Sequence, residues 1–169
     1  NNCKNPGFIS PLMMVNGKIS KLSAWKLPNF LDDIFDSTNF FKFIVNKRIC
    51  YKILENQDNI PVDCLPGSFI MSRKSIFFEL NNFDKETFLY GEERLLAKKV
   101  KIAGLTNYLC QKFYYHHLVS GSISTIENSF SHIDYLIDSR IYYHKKYSKI
   151  NKFIIKLLKY IIFLKKAEI

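Results

Sequence analysis

The chain has 169 residues, 47% of them hydrophobic and 24% charged, with a formal net charge of +10. That length accommodates one domain with a real core, and the apolar content excludes a disordered chain. The positive surplus favours an anionic partner, whether nucleic acid, a phosphorylated substrate or an acidic lipid surface.

In chain order, "GFISPLMMVNGKISKL" (7–22) predicts a strand, a turn at Asn16–Gly17 and a second strand, because Asn-Gly supplies the positive φ angles of a tight hairpin. "NFLDDIFDSTNFFKFIVNKR" (29–48) reads as helical or irregular. Its acids Asp32, Asp33 and Asp36 read as a solvated helix start, since they have neither Asp-x-Asp spacing nor the glycine of a calcium loop. Residues 60–72, "IPVDCLPGSFIMS", predict extended structure broken at Pro66–Gly67. "RKSIFFEL" (73–80) predicts a short helix and "NNFDKETFLY" (81–90) a loop.

Residues 92–103 predict an amphipathic helix with Leu96, Val100 and Ala103 on its apolar face and Arg94, Lys98 and Lys101 on another; Gly104 stops it. "LTNYLCQKFYYHH" (105–117) predicts one or two strands, and "LVSGSIS" (118–124) a loop. A helix from about residue 127 follows, with Phe130, Ile133, Ile137 and Ile141 on its apolar side. The last stretch, "NKFIIKLLKYIIFLKKAEI" (151–169), predicts a basic amphipathic helix. Its apolar run is short and broken by lysines, which fits an in-plane interfacial helix or one packed on its own domain better than a membrane span. A weak boundary lies near residue 125, dividing a mixed α/β unit (1–125) from a helical extension (126–169).

Three clusters could carry chemistry. Glu92 and Glu93 stand at the mouth of a helix, where acids either complement the helix dipole or hold one carboxylate as a general base. His116 and His117 end a strand beside a Ser/Gly-rich loop; adjacent strand residues point to opposite faces, so at most one of them faces a given site. Asp63 precedes the Pro66–Gly67 break, where a glycine lets backbone approach a ligand or relieves a bulge. Cys3, Cys50, Cys64 and Cys110 form no CxxC pair and no zinc spacing, and read as reduced thiols of a cytosolic protein.

The order of these clusters is more specific than any one of them. "VDCLPGSFIMSR", "ELNNFDKETFLYGEERLLAKKVKIAG" and "YYHHLVSGSIS" follow one another. This order resembles the C-terminal half of family 2 glycosyltransferases, bacterial enzymes of polysaccharide and lipopolysaccharide assembly. Gly67–Ser68, Arg73, Phe83–Asp84, Phe88–Leu89–Tyr90, Glu92–Glu93, Gly104, His116 and Ser120 take the places of that family's motifs over residues 60–125.

The resemblance implies an α/β, partial GT-A-like fold with a mixed sheet, followed by C-terminal helices. It implies inverting transfer of a sugar from a nucleotide-diphosphate donor to a glycan or lipid-linked acceptor hydroxyl. Glu93 would be the general base, supported by Glu92, with Asp63, Gly67, Ser68, Arg73, Asp84 and Tyr90 contacting substrate. Mg²⁺ or Mn²⁺ would neutralise the departing diphosphate, with His116, or alternatively His117, holding it. The usual second acid of the pair is Asp, so Glu93 is one methylene longer. The family's Asp-x-Asp motif does not occur in this sequence, so the chain reads as the acceptor-side half of a larger enzyme. The implied location is the inner face of the bacterial cytoplasmic membrane.

The alternative class is a non-enzymatic basic module binding acidic membrane or nucleic acid. After residue 139, Arg140 and eight lysines stand against Glu168 alone. That concentration favours a membrane surface, met by residues 150–169, over a nucleic-acid groove.

Overall fold

The computed structural model describes residues 3–37, 50–51, 57–87, 89–118, 129–148 and 160. It is a mixed α/β structure. Strand β1 (Pro6–Val15) turns back into β2 (Lys18–Ile19), helix α1 (Phe30–Ser37) follows, and then strand β3 (Asn59–Val62). Helices α2 (Lys74–Glu79) and α3 (Glu92–Ile102) precede β4 (Thr106–His116), and α4 spans Ser129–Tyr147. The sheet order is β2-β1-β4-β3, with β1 parallel to β4 and the other two pairs antiparallel.

The hairpin forms as its residues predict. Asn16 and Gly17 have φ of 50° and 73°, and Met14 pairs with Ile19 across the turn. Ser23 fastens the return: its hydroxyl accepts from the Met13 amide at 3.0 Å and donates to the Ser20 carbonyl at 2.7 Å.

Along β1 and β4 the pairing jumps. Pro11 lies opposite Cys110, yet Leu12 lies opposite Tyr114. Proline has no N–H to give the ladder, so a slip at this position forfeits little. Beyond the slip Met13 pairs with Tyr115 and Met14 with His116, and the Met14 carbonyl accepts from the His117 amide at 2.8 Å.

Phe8 and Leu12 of β1, Ile60 and Val62 of β3, and Leu109 of β4 enter one apolar core with Leu96 and Val100 of α3 and Ile76 of α2. Alternation puts Ile60 and Val62 inward with Pro61 exposed between them. On α3 the inward face differs from the one predicted. Leu95, Leu96, Ala97 and Val100 are buried, whereas Ala103 is exposed at the C-cap. Gly104 ends this helix at φ 69°, as expected. Asn107 is buried in the same layer. Its side-chain oxygen accepts from the Phe8 amide at 3.0 Å, and its amide donates to the Asp63 carbonyl at 2.7 Å.

The "LDDIFD" segment departs from its reading. Asn29 and Asp32 cap α1 reciprocally, each side-chain oxygen accepting the other's backbone N–H at 3.0 and 2.9 Å. Asp32 and Asp33 are only 5% and 3% exposed, so this is no solvated helix start. Arg94, read as sharing a face with Lys98 and Lys101 apart from the apolar one, is likewise buried. A buried charge requires a partner, and these two supply it to each other: Arg94 meets Asp33 at 2.7 Å.

The boundary near residue 125 and the loop 119–124 lie outside the described residues. So does the basic tail, apart from Tyr160, which is helical and exposed. Among the described residues no helix is long and apolar enough to cross a membrane.

Candidate active site

Two loops bring the site together. After β3, the chain turns at Pro66–Phe69, closed by the Phe69 amide on the Pro66 carbonyl. Before α3, Tyr90 and Gly91 take φ of 67° and 81° in succession. A tyrosine in the left-handed region is uncommon and marks a constrained backbone. This bend delivers the first turn of α3 to the Pro66–Phe69 turn.

Glu93 sits in that first turn. Its Oε1 accepts from the Gly67 amide at 3.2 Å. Leu96, Ala97 and Phe83 back the same spot with apolar surface. Burial pushes the Glu93 carboxyl above its ordinary range. The neighbouring Glu92 charge adds to that, while N–H groups of Glu93 itself and of Gly67 oppose it.

Gly67 is required by proximity. A Cβ there would fall 2.9 Å from Glu93 Oε1. Because the obstructing atom is a side-chain tip, Gly67→Ala should displace the carboxyl rather than the fold. Stability is expected to change by under about 1 kcal/mol. The Glu93 titration midpoint, read by carboxyl-carbon NMR, should fall toward the ordinary range as the group turns to water.

Glu93 opens onto a cleft of about 760 Å³, within the usual size range of small-molecule sites. Gly67, Ser68, Tyr90 and His117 line it together with Glu93, as does Trp25. Trp25 is fixed by reciprocal backbone hydrogen bonds with Cys64. Ser68 Oγ lies 2.6 Å from the Tyr115 hydroxyl, and the Tyr115 ring neighbours both Phe69 and His117. Helix α1 contributes Asp32, Asp33 and Asp36, and α4 contributes Arg140.

Of the two imidazoles, His117 is the one that lines the cleft. His116, the first choice for a ligand, is exposed and packs edge-on against Tyr114. The period-2 argument that only one histidine faces the site holds; the pairing beyond the slip decides which. Glu92 is half-buried beside Glu93 but is not among the residues lining the cleft.

Three other predicted contacts lie away from this cleft. Asp63 Oδ2 accepts from the Leu27 amide at 3.0 Å and tethers the approach to α1. Arg73 is exposed beside a separate pocket of about 290 Å³ shared with Met71 and Ile76. Asp84 accepts from the Tyr142 hydroxyl at 3.0 Å and from Lys146 Nζ at 2.5 Å, anchoring α4 to the loop before α3. Burial opposes ionisation of Asp84, but these two donors outweigh it and hold the carboxyl below its usual range. Lys146 is partly exposed, so water screens the pair. Asp84→Asn should therefore cost about 1 kcal/mol at neutral pH, measured by urea unfolding, with the difference from wild type vanishing in acid.

A polar hub beside the cleft escaped prediction. Asp33 is its centre: it accepts from Arg94 at 2.7 Å and from His144 Nε2 at 2.6 Å, with Arg140 Nε at 3.6 Å. Arg140 also pairs with Asp36. Arg94 donates to the Pro28 carbonyl at 2.9 Å and lies 3.9 Å over the Tyr143 ring. Burial disfavours the Asp33 charge, yet the His144 hydrogen bond and Arg94 overcome it and lower the carboxyl pKa. The signal available in sequence was Arg94 abutting "LLA", and His144 three residues after Ile141 on the apolar stripe of α4.

Among the described residues no three His, Cys, Asp or Glu side chains group as a metal ion would need. Of the two histidines expected to hold a metal, His117 is the one among the residues lining the cleft.

No family model, curated protein or solved structure matches this chain.

Proposed function

We propose that this chain is the acceptor-side half of an inverting, family 2-like glycosyltransferase of GT-A type, acting in bacterial cell-surface polysaccharide or lipopolysaccharide synthesis. The observation that carries the reading is Glu93: a half-buried carboxylate whose pKa desolvation raises, held by the Gly67 amide at the wall of a large cleft. The order of motifs along residues 60–125 supports the same reading.

In this proposal an acceptor hydroxyl donates to the Glu93 carboxylate. Its oxygen forms a bond to the anomeric carbon as the bond from that carbon to the donor's diphosphate breaks, and the hydroxyl proton passes to Glu93. Inversion follows from the single displacement. The raised pKa moves the base toward the working pH, the direction proton abstraction needs. Ser68, Tyr90 and His117 position the acceptor. Donor binding, and the Mg²⁺ or Mn²⁺ expected in the family, are assigned to segments of the family pattern that these residues do not contain. The Lys-rich residues 150–169 would hold the enzyme at the inner membrane surface, near lipid-linked acceptors.

The test is a transfer assay on the enzyme carrying these residues, using labelled nucleotide-diphosphate sugars and glycan or lipid-linked acceptors. Product of inverted anomeric configuration is expected. Donor hydrolysis with retention, or no transfer across the common donors, would refute the proposal.

A further inference from the structure

The Pro66–Phe69 turn, which carries the Gly67 amide, is lightly held. Among the described residues, three hydrogen bonds involve it. One is internal, the Phe69 amide on the Pro66 carbonyl at 3.3 Å. One is the Gly67 amide on Glu93 Oε1 at 3.2 Å. The third, and the shortest, joins Ser68 Oγ to the Tyr115 hydroxyl at 2.6 Å. The Tyr115 ring also lies 5.3 Å from that of Phe69, at an interplanar angle of 30°. Two successive residues of the turn thus rest on one side chain of β4. The backbone is next fixed at Cys64, paired with Trp25, and at Met71, paired with Ile9. Between those points, the described hydrogen-bond partners from outside the segment are Glu93 and Tyr115.

The slip at Pro11 brings Tyr115 level with Met13, which lines the cleft. Alternation along β4 puts it on the face of His117, whose ring neighbours its own at 6.5 Å. Tyr115 is half-buried, and burial pushes its phenol above the ordinary value. The hydroxyl therefore stays protonated across the pH range in which carboxylates titrate. Tyr115 is not itself among the residues lining the cleft, so it acts through its neighbours. We infer that Tyr115 is a positioning residue: through Ser68 and Phe69 it holds the Gly67 amide on the Glu93 carboxylate and so fixes where the proton acceptor stands. The contact is independent of any reaction; its catalytic consequence rests on the transferase reading. A single hydroxyl pair contributes little energy. A reacting group displaced by about 1 Å, however, can cost about 10²-fold in rate, and the leverage of Tyr115 lies there.

Tyr115→Phe keeps the ring and deletes the hydroxyl pair. Ser68→Ala deletes the same pair from an exposed position, where folding is not at stake. In amide NMR of the chain, the Gly67 proton should follow the Glu93 titration, because a hydrogen bond to an ionised carboxylate is stronger than one to the neutral acid. Glu93→Gln should abolish that response, which assigns it. Tyr115→Phe and Ser68→Ala should each lose most of its amplitude, and the double variant no more than either. In the transfer assay Tyr115→Phe should lower kcat by about 10–10²-fold with the donor KM unchanged. An undiminished amplitude in both variants, or a kcat that holds when the amplitude falls, overturns the positioning role and leaves the transferase proposal standing. A diminished amplitude beside a wild type that transfers no sugar upholds the contact and refutes the transferase reading.

Discussion

Glu93→Gln should lower sugar transfer by about 10²–10⁴-fold, the usual contribution of a positioned general base, and should at the same time stabilise the fold. The amide keeps an oxygen for the Gly67 N–H, so the geometry at 3.2 Å survives. What disappears is the buried charge. A carboxyl whose pKa is raised by burial is more easily protonated in the folded state. Its ionisation therefore weakens the fold, by nothing below the unfolded value of about 4.5 and increasingly as pH rises through the folded value. The variant should thus be more stable than wild type by about 0.5–2 kcal/mol at pH 7, and the gap should close toward pH 4. Thermal melts at the two pH values, beside turnover and donor-affinity measurements, check both halves. Equal, mild losses of turnover from Glu92→Gln and Glu93→Gln would favour helix capping as the purpose of the pair.

Asp33→Asn should be the most damaging single change to stability, at about 3–5 kcal/mol, because it leaves Arg94 buried with its main counter-charge gone. Domains of this size have only about 5–15 kcal/mol in total. The pH dependence has the opposite sign to that of Glu93. The Asp33 carboxyl is held below its ordinary 3.8, so its contribution is complete above that value and is lost as pH falls through the folded one. Wild type and variant should converge in strong acid. Pairing Asp33→Asn with Arg94→Met should restore much of the loss, since an apolar isostere removes the stranded cation. Urea unfolding of the two single variants and the double variant measures it; additive losses would show that the two side chains do not act as a pair.

Local chemistry made much of the fold legible. Asn16–Gly17 announced its hairpin, Pro66–Gly67 its turn, and Gly104 the end of α3. Pairings between distant segments were not legible. "LDD" looks solvated because the charges that neutralise it lie far along the chain, with His144 111 residues away. The Phe83–Asp84 motif aligned convincingly with a substrate-binding turn, yet Tyr142 and Lys146 claim the carboxylate. Within the site, the resemblance put Glu93 and Gly67 together and named His116 ahead of His117, whereas His117 is the one that lines the cleft. That choice depends on where β1 and β4 lose step at Pro11, which alternation within β4 alone cannot reveal.

The reach of the Asp33 hub has a consequence for synthesis. At a translation rate of about 5–20 residues per second, Asp33 is added to the chain roughly 6–22 s before His144. Throughout that interval the acids of α1 have none of their α4 counter-ions, and hydration keeps the nascent segment from sticking to its neighbours. The features that make "LDDIFD" look like a water-facing helix are thus true of it during translation and cease to be true when α4 arrives.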